Sequence, residues 1–128
     1  MTRTVIATDK APAAVGPYSQ GVKAGGLLFT AMQIPLDPAT GQIGGGDVTT
    51  QTARVLENIA AILSAGQSSL DKVVKTLVYL ADMNDFGAMN AVYEQYFPHA
   101  PPARGAVEVS RLPRNALVAI EAIAVAGD

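Results

Sequence analysis

The sequence predicts an α+β domain in which six strands form one mixed sheet and two helices pack on one of its faces. Two observations predict it. Six short apolar or β-branched runs are separated by turn residues, and two longer stretches repeat apolar residues at three- and four-residue spacings. The order is strand, strand, strand, helix, strand, helix, strand, strand. At 128 residues the chain suits a single domain, residues 1–128.

The N-terminal third supplies three predicted strands. The first is Thr4–Ala7, and the next two, Gln20–Ala24 and Leu27–Ile34, flank Gly25-Gly26, a two-residue connection typical of a tight hairpin. The glycine run at 44–46 indicates a flexible linker, because no Lys-Ser/Thr pair of a phosphate loop follows it.

Both helices are predicted from their spacing and their ends. Asp47 caps the first helix, which ends near Gly66. Asp82 or Asn84 caps the second, and Pro98 stops it. One face of the second helix is predicted to be core rather than a cofactor site, and it carries Phe86, Met89, Tyr93, Tyr96 and Phe97.

The C-terminal half supplies the other strands, at Val73–Leu80, Ala106–Val109 and Leu117–Val125, with a turn at 112–115 before the last. The first and last of these strands carry apolar residues at both odd and even positions, which indicates burial on both faces. Two helices can cover only one face of the sheet. We therefore expect further copies of the chain to cover the other face, in a homo-oligomer.

Composition argues against several functions. The net charge is −2 with nine Lys plus Arg and no basic run, which disfavours nucleic acid and anionic membranes as partners. Without cysteine, thiol nucleophiles and disulfides are excluded, and the single histidine, His99, is expected in an exposed loop. We read no signal peptide and no membrane-spanning run, so a soluble cytoplasmic protein is expected.

Two charged residues stand in apolar surroundings. Pro101-Pro102 holds the backbone extended and delivers Arg104 at the start of a predicted strand, and Glu121 lies within the last strand. A guanidinium fits a carboxylate through two parallel hydrogen bonds. Arg104 is therefore predicted to hold a small carboxylate-bearing substrate, while Glu121 handles a proton or a water. A structural ion pair of Arg104 with Glu121 or Glu108 is an equally open alternative.

Several short motifs follow one another along nearly the whole chain. They are Gly16-Pro17-Tyr18-Ser19-Gln20, Gln33-Ile34-Pro35-Leu36-Asp37-Pro38, Gln51-Thr52, Leu56-Glu57-Asn58-Ile59, the segment 71–76, Asp82-Met83-Asn84-Asp85-Phe86, Pro102-Ala103-Arg104, Val107-Glu108-Val109 and Ile120-Glu121-Ala122-Ile123-Ala124. Together they resemble the RidA (YjgF) family of reactive-intermediate deaminases. The resemblance implies a chorismate-mutase-like fold, a homotrimer with active sites between subunits, and no metal or organic cofactor.

The resemblance also implies a reaction and a set of residues. The reaction is hydrolysis of 2-imino acids and their enamine tautomers, such as 2-iminobutanoate and 2-iminopropanoate, to 2-keto acids and ammonia. Arg104 would clamp the substrate carboxylate, and Glu121 would position the attacking water and assist proton transfer. Tyr18 would close and orient the site, although Tyr18 and Gln20 also fit an ordinary turn. The backbone at Ala106 would hydrogen-bond the reacting end of the substrate.

Two departures from the family pattern fall at predicted substrate-binding positions. Ala31-Met32 stands where the family usually has Ser-Gly, and Gly105-Ala106 stands where it usually has Ser followed by Thr, Cys or Ala. These replacements indicate a changed pocket. Two alternatives to deamination therefore stay open, a non-catalytic carboxylate-binding or regulatory protein and a repurposed pocket for a more apolar substrate. The acidic balance and the lack of a catalytic histidine disfavour RNA cleavage.

Overall fold

The computed structural model describes residues 2–127, in which six strands form one mixed sheet. The order across the sheet is β1-β2-β3-β6-β4-β5, so that β1 and β5 are its two edges. Strands β4 and β5 pair in parallel, and the other neighbours are antiparallel. The bounds are β1 (Thr4–Ile6), β2 (Gly21–Ala24), β3 (Leu27–Thr30), β4 (Val73–Leu80), β5 (Ala103–Glu108) and β6 (Val118–Val125).

Two helices, α1 (Val48–Ala65) and α2 (Phe86–Tyr96), have the predicted order, and both end where predicted. The predicted cap of α2 is wrong, because Asp85 and neither Asp82 nor Asn84 is its N-cap residue. The Asp47 carboxylate accepts the Thr50 N–H, which lowers the pKa of Asp47, and Gly66 closes the last turn of α1. Asp82 caps a short 3₁₀ turn that leads into α2.

Helices cover one face of the sheet, and among residues 2–127 no helix covers the other, where only the end at Ala119 is buried, by Leu112 and Ala116. The first, the helix-covered face, carries fully buried side chains such as Leu28, Val78 and Ile120. The second, the open face, carries large apolar side chains of which a third or more is exposed. They are Val5, Phe29, Leu77, Val107 and Val125.

Two predicted strands need correction. Strand β3 ends at Thr30 rather than Ile34, and the chain rejoins the sheet through a single bridge from Gln33 to Ile120. Strand β5 begins at Ala103, so Arg104 lies inside the strand and not before it. The cause is pairing with β4, whose parallel ladder reaches further back than the side-chain pattern of β5 shows.

The predicted hairpin is confirmed. Gly25 and Gly26 have φ of 60° and 78°, the left-handed conformation that both central residues of a type I′ turn require. This turn sets the register in which Leu28 points to the helix-covered face and Phe29 to the open face.

Candidate functional site

Arg104 is held by α2 at the edge of the sheet. Its Nη1 donates to Asn90 Oδ1 at 2.6 Å. Its Cζ lies 4.7 Å from the Tyr93 ring centroid and 5.3 Å from that of Phe86, within cation–π range of both. The side chain is half-buried and borders a groove of about 700 Å³, also lined by Asn90, Tyr93, Glu94, Phe97, Pro98, Pro101 and Pro102.

The aromatic support of Arg104 is itself part of the core. Tyr93 is buried, stacks on Phe97 at 4.7 Å and has its hydroxyl 2.6 Å from Thr76 Oγ1. Burial raises the pKa of Tyr93, while the hydrogen bond with Thr76 and the Arg104 cation act in the opposite direction. The aromatic face of α2 is therefore core, as predicted, and it also fixes the direction of the guanidinium.

Glu121 belongs to the open face. Its Oε1 accepts a hydrogen bond from the Tyr79 hydroxyl at 2.6 Å, and this bond raises the pKa of Tyr79 to about 12. Leu77 is the register partner of Glu121 in β6 and of Gly105 in β5. Glu121, Leu77 and Gly105 thus form one row across the open face.

Arg104 and Glu121 leave the sheet on opposite faces. Arg104 pairs in register with Thr76, one residue before the row that holds Glu121, and successive residues of a strand point to opposite sides. Neither alternative ion pair forms in the described chain. The Arg104 guanidinium instead donates to Asn90, and Glu108 accepts the Met83 N–H at 2.8 Å. Within one chain, then, the two predicted reactive groups do not converge.

Tyr18, Ala31 and Met32 do come together, around a second pocket of about 470 Å³. Tyr18 is 51% exposed and Met32 37% exposed, and apolar side chains make up most of the remaining wall. The other lining residues are Pro12, Val15, Gln33, Ile34, Leu36, Pro113 and Arg114. Arg104 does not line this pocket, so the predicted site residues occupy separate parts of one chain.

Buried amides hold the segments around that pocket. Gln20 is 5% exposed, and its side chain bonds the backbone at Thr8, Ala11 and Pro12, so it is a structural residue and not a ligand contact. Asn58 on α1 donates to the carbonyl oxygens of the segment that follows Gln33.

Arg114 is a pocket residue that the sequence analysis missed. It has φ of 60° and donates to the Gly41 carbonyl and to Gln42 Oε1. The turn at 112–115 was predicted. The direction of the Arg114 side chain follows from a left-handed backbone at a non-glycine residue, which spacing does not reveal.

The two replaced positions in β5 differ in setting. A Cβ built on Gly105 would lie 2.9 Å from Leu77 Cδ2, so the Leu77 side chain occupies the space of any larger residue there. Ala106 is half-buried and packs against the core. Val109 N–H donates to the Leu80 carbonyl. Because alternate residues of a strand turn their amides to the same side, Ala106 turns its N–H and C=O to the free edge of β5.

The described residues offer neither a metal-binding group nor a helix that could cross a membrane. Within residues 2–127, no group of three His, Asp or Glu side chains has an arrangement that could bind a metal ion. Among the described helices, none combines the length and the hydropathy that crossing a membrane requires. His99 is exposed, as expected.

Known proteins are similar to this chain in sequence and in fold. Residues 8–126 match the family described as Endoribonuclease L-PSP. Mouse 2-iminobutanoate/2-iminopropanoate deaminase is 49% identical over 98% of this chain and 93% of its own length. The Escherichia coli protein TdcF, solved with bound serine, superposes with a TM-score of 0.92 and 43% identity over 97% of this chain and 99% of its own. The Escherichia coli YjgF gene product superposes with a TM-score of 0.90 and 46% identity, over 95% of this chain and 98% of its own.

The chain belongs to the RidA/YjgF family, also called L-PSP. Its α+β, chorismate-mutase-like fold, with a six-stranded mixed sheet and two helices, is confirmed.

Proposed function

We propose that this protein hydrolyses 2-imino acids and their enamine tautomers, such as 2-iminobutanoate and 2-iminopropanoate, to 2-keto acids and ammonia. The observation that carries the proposal is the setting of Arg104. Asn90 and two aromatic rings orient its guanidinium beside a groove, next to the free backbone edge at Ala106. A guanidinium held in this way can bind a planar carboxylate through two parallel hydrogen bonds. The mouse protein that is 49% identical to this chain is named for the same activity.

The site is proposed to form between chains of a homotrimer. Arg104 and Glu121 leave opposite faces of the sheet, so a site that uses both needs Glu121 from another copy. The apolar side chains exposed on the open face support association, because an apolar surface of this kind is unusual on a monomer. In that assembly Tyr18, Ala31 and Met32 would form the wall opposite Arg104.

In the proposed reaction, Arg104 binds the carboxylate of the substrate in its iminium form. Water adds to the imine carbon: the C–O bond forms, the C=N π pair moves to nitrogen, and Glu121 accepts the water proton. Glu121 then returns this proton to nitrogen. The C–N bond breaks as ammonia leaves with the electron pair. Glu121, again a carboxylate, accepts the hydroxyl proton as the keto group forms and then releases it to solvent. The N–H of Ala106 orients the reacting end throughout.

The test follows the decay of 2-iminobutanoate released by a threonine dehydratase. Wild-type protein is expected to accelerate decay catalytically. Arg104→Ala should lower kcat/KM by about 10- to 100-fold because a charge-assisted contact is lost, and Glu121→Gln should lower kcat by about 10²–10⁴. Arg111→Ala, at an exposed arginine outside both pockets, is the control. Imine decay that stoichiometric wild-type protein leaves unchanged would refute the proposal.

A non-catalytic carboxylate-binding or regulatory protein is the second candidate. The observation that favours it is the Met32 thioether in the Tyr18 pocket, where it narrows the space for a substrate. Calorimetry with 2-ketobutyrate separates the two, since saturable binding that is lost in Arg104→Ala, without turnover, would support binding alone.

The third candidate is a pocket repurposed for a more apolar substrate, and Met32 is again the observation that favours it. In that case Met32→Gly should lower activity on the apolar substrate, and unchanged activity would discard the idea.

A further inference from the structure

Tyr79 contacts Glu121 and has no role in the reaction described so far. It lies on β4, and its hydroxyl is 2.6 Å from Glu121 Oε1. A carboxylate can only accept, so the phenol is the donor. The ring of Tyr79 is half-buried beside a small cluster formed by Leu112, Ala116 and Ala119, which fixes the position of the hydroxyl.

The contact restricts a side chain that would otherwise be free. Glu121 stands among apolar neighbours on the open face, with Leu77 as its register partner. A glutamate has three rotatable bonds, and ordering such a side chain without a partner costs conformational entropy. With Oε1 bound to Tyr79, the rotation of the carboxylate is restricted, and Oε2 remains available to accept a proton from water.

We propose that Tyr79 is a positioning residue for Glu121. The inference rests on the proposed function, because it assigns Glu121 the role of proton acceptor. Tyr79 does not touch the substrate in this scheme. It acts by holding the acceptor oxygen in line with the water, and catalysis is sensitive to displacements of this kind.

The kinetic test is a double-mutant cycle with imine as substrate, comparing wild type, Tyr79→Phe, Glu121→Gln and the double variant. Phe keeps the ring and removes only the donor. Tyr79→Phe is expected to lower kcat about 10-fold with KM within two-fold, and to add nothing in the Glu121→Gln background. Tyr96→Phe is the matched control, since its phenol also faces a glutamate, Glu57, away from both pockets.

Two kinetic results would overturn the inference while leaving the proposed function intact. One is an active Tyr79→Phe with wild-type kcat. The other is an equal fall in kcat whether or not Glu121 is present, because a general structural role would act in both backgrounds. An inactive wild-type protein would instead refute the proposed function, and the positioning role with it.

A second readout needs no substrate. In protein labelled with ¹³C-tyrosine, the Tyr79 phenol should titrate at about pH 12 in wild type and closer to the ordinary tyrosine value of 10 in Glu121→Gln. Normal titration of Tyr79 in the wild-type protein would mean that the hydrogen bond is absent in solution, which overturns the inference whatever the kinetics show.

Discussion

The two faces of the sheet differ in how completely their apolar side chains are buried. On the helix-covered face, α1 and α2 bury side chains such as Leu28 and Val78 completely. On the open face, Phe29 is 41% exposed and Val107 49% exposed, although both are as apolar as core residues. This chain therefore encodes more apolar strand surface than its own helices can cover. We propose that association between copies covers the excess.

The same division separates the proposed reactive groups. Arg104 is oriented from the helix-covered side by an aromatic platform and an amide, whereas Glu121 is oriented on the open face by one phenol. The core supports the first group. The second stands on the surface that we propose to be an interface, so its surroundings depend on assembly.

The largest expected effect contrasts two neighbours on β3. Leu28→Ala should lower the free energy of unfolding by about 2–5 kcal/mol, because it leaves a cavity under α1. Phe29→Ala should cost under about 1 kcal/mol in dilute protein, since its side chain faces the open side. Denaturant titration at two protein concentrations measures both values.

Concentration dependence is the control in that experiment. If other copies cover the open face, the cost of Phe29→Ala grows with protein concentration, because association stabilises the folded state by mass action. Equal costs for the two variants in dilute protein would contradict the distinction between the faces.

A smaller effect is expected at Gly105, in the row that Glu121, Leu77 and Gly105 form across the open face. Gly105→Ala places a methyl group against Leu77 Cδ2 and should cost about 1 kcal/mol or less, because a flexible side-chain end can yield. In a Leu77→Ala background the same change should instead stabilise by about 0.4–1 kcal/mol, since alanine restricts the unfolded chain. Thermal unfolding of the four proteins checks this reversal of sign. The same cost in both backgrounds would show that Leu77 is not the obstacle.

The last prediction is a pH dependence of stability. The folded pKa of Tyr79, about 12, exceeds its ordinary value of 10, so the neutral phenol stabilises the fold. This contribution is complete below pH 10 and is lost as the pH rises through 12. Stability of wild type should therefore fall towards that of Tyr79→Phe between pH 10 and 12. Other buried tyrosines titrate equally in both proteins and cancel in the difference. A constant difference across this range would speak against the Tyr79–Glu121 bond.

Much of the fold could be predicted because its signals are local. The caps Asp47 and Gly66 and the Gly25-Gly26 turn have side-chain or backbone requirements that the sequence shows directly. Strand β5 was harder to delimit, because pairing with β4 and not side-chain preference sets where it begins. For the same reason, β3 ends earlier than its apolar run.

The residue types of the candidate site could be predicted from the sequence, but their arrangement in space could not. Arg104, Glu121 and Tyr18 can be named from their neighbours in the sequence. Their supports, Asn90 and Tyr79, lie 14 and 42 residues away along the chain. Nothing local distinguishes Tyr79 from an ordinary strand tyrosine, because its partner is brought to it by β4–β6 pairing.

The sequence alone therefore established the element order, both ends of α1, the excess of apolar strand surface and the residue types available for chemistry, since these depend on spacing and on properties of single residues. The positions of Arg104 and Glu121 on opposite faces, and of Leu77 in the space beside Gly105, became visible only in the folded chain. Strand register decides such facts, and a shift of one residue would exchange the two faces.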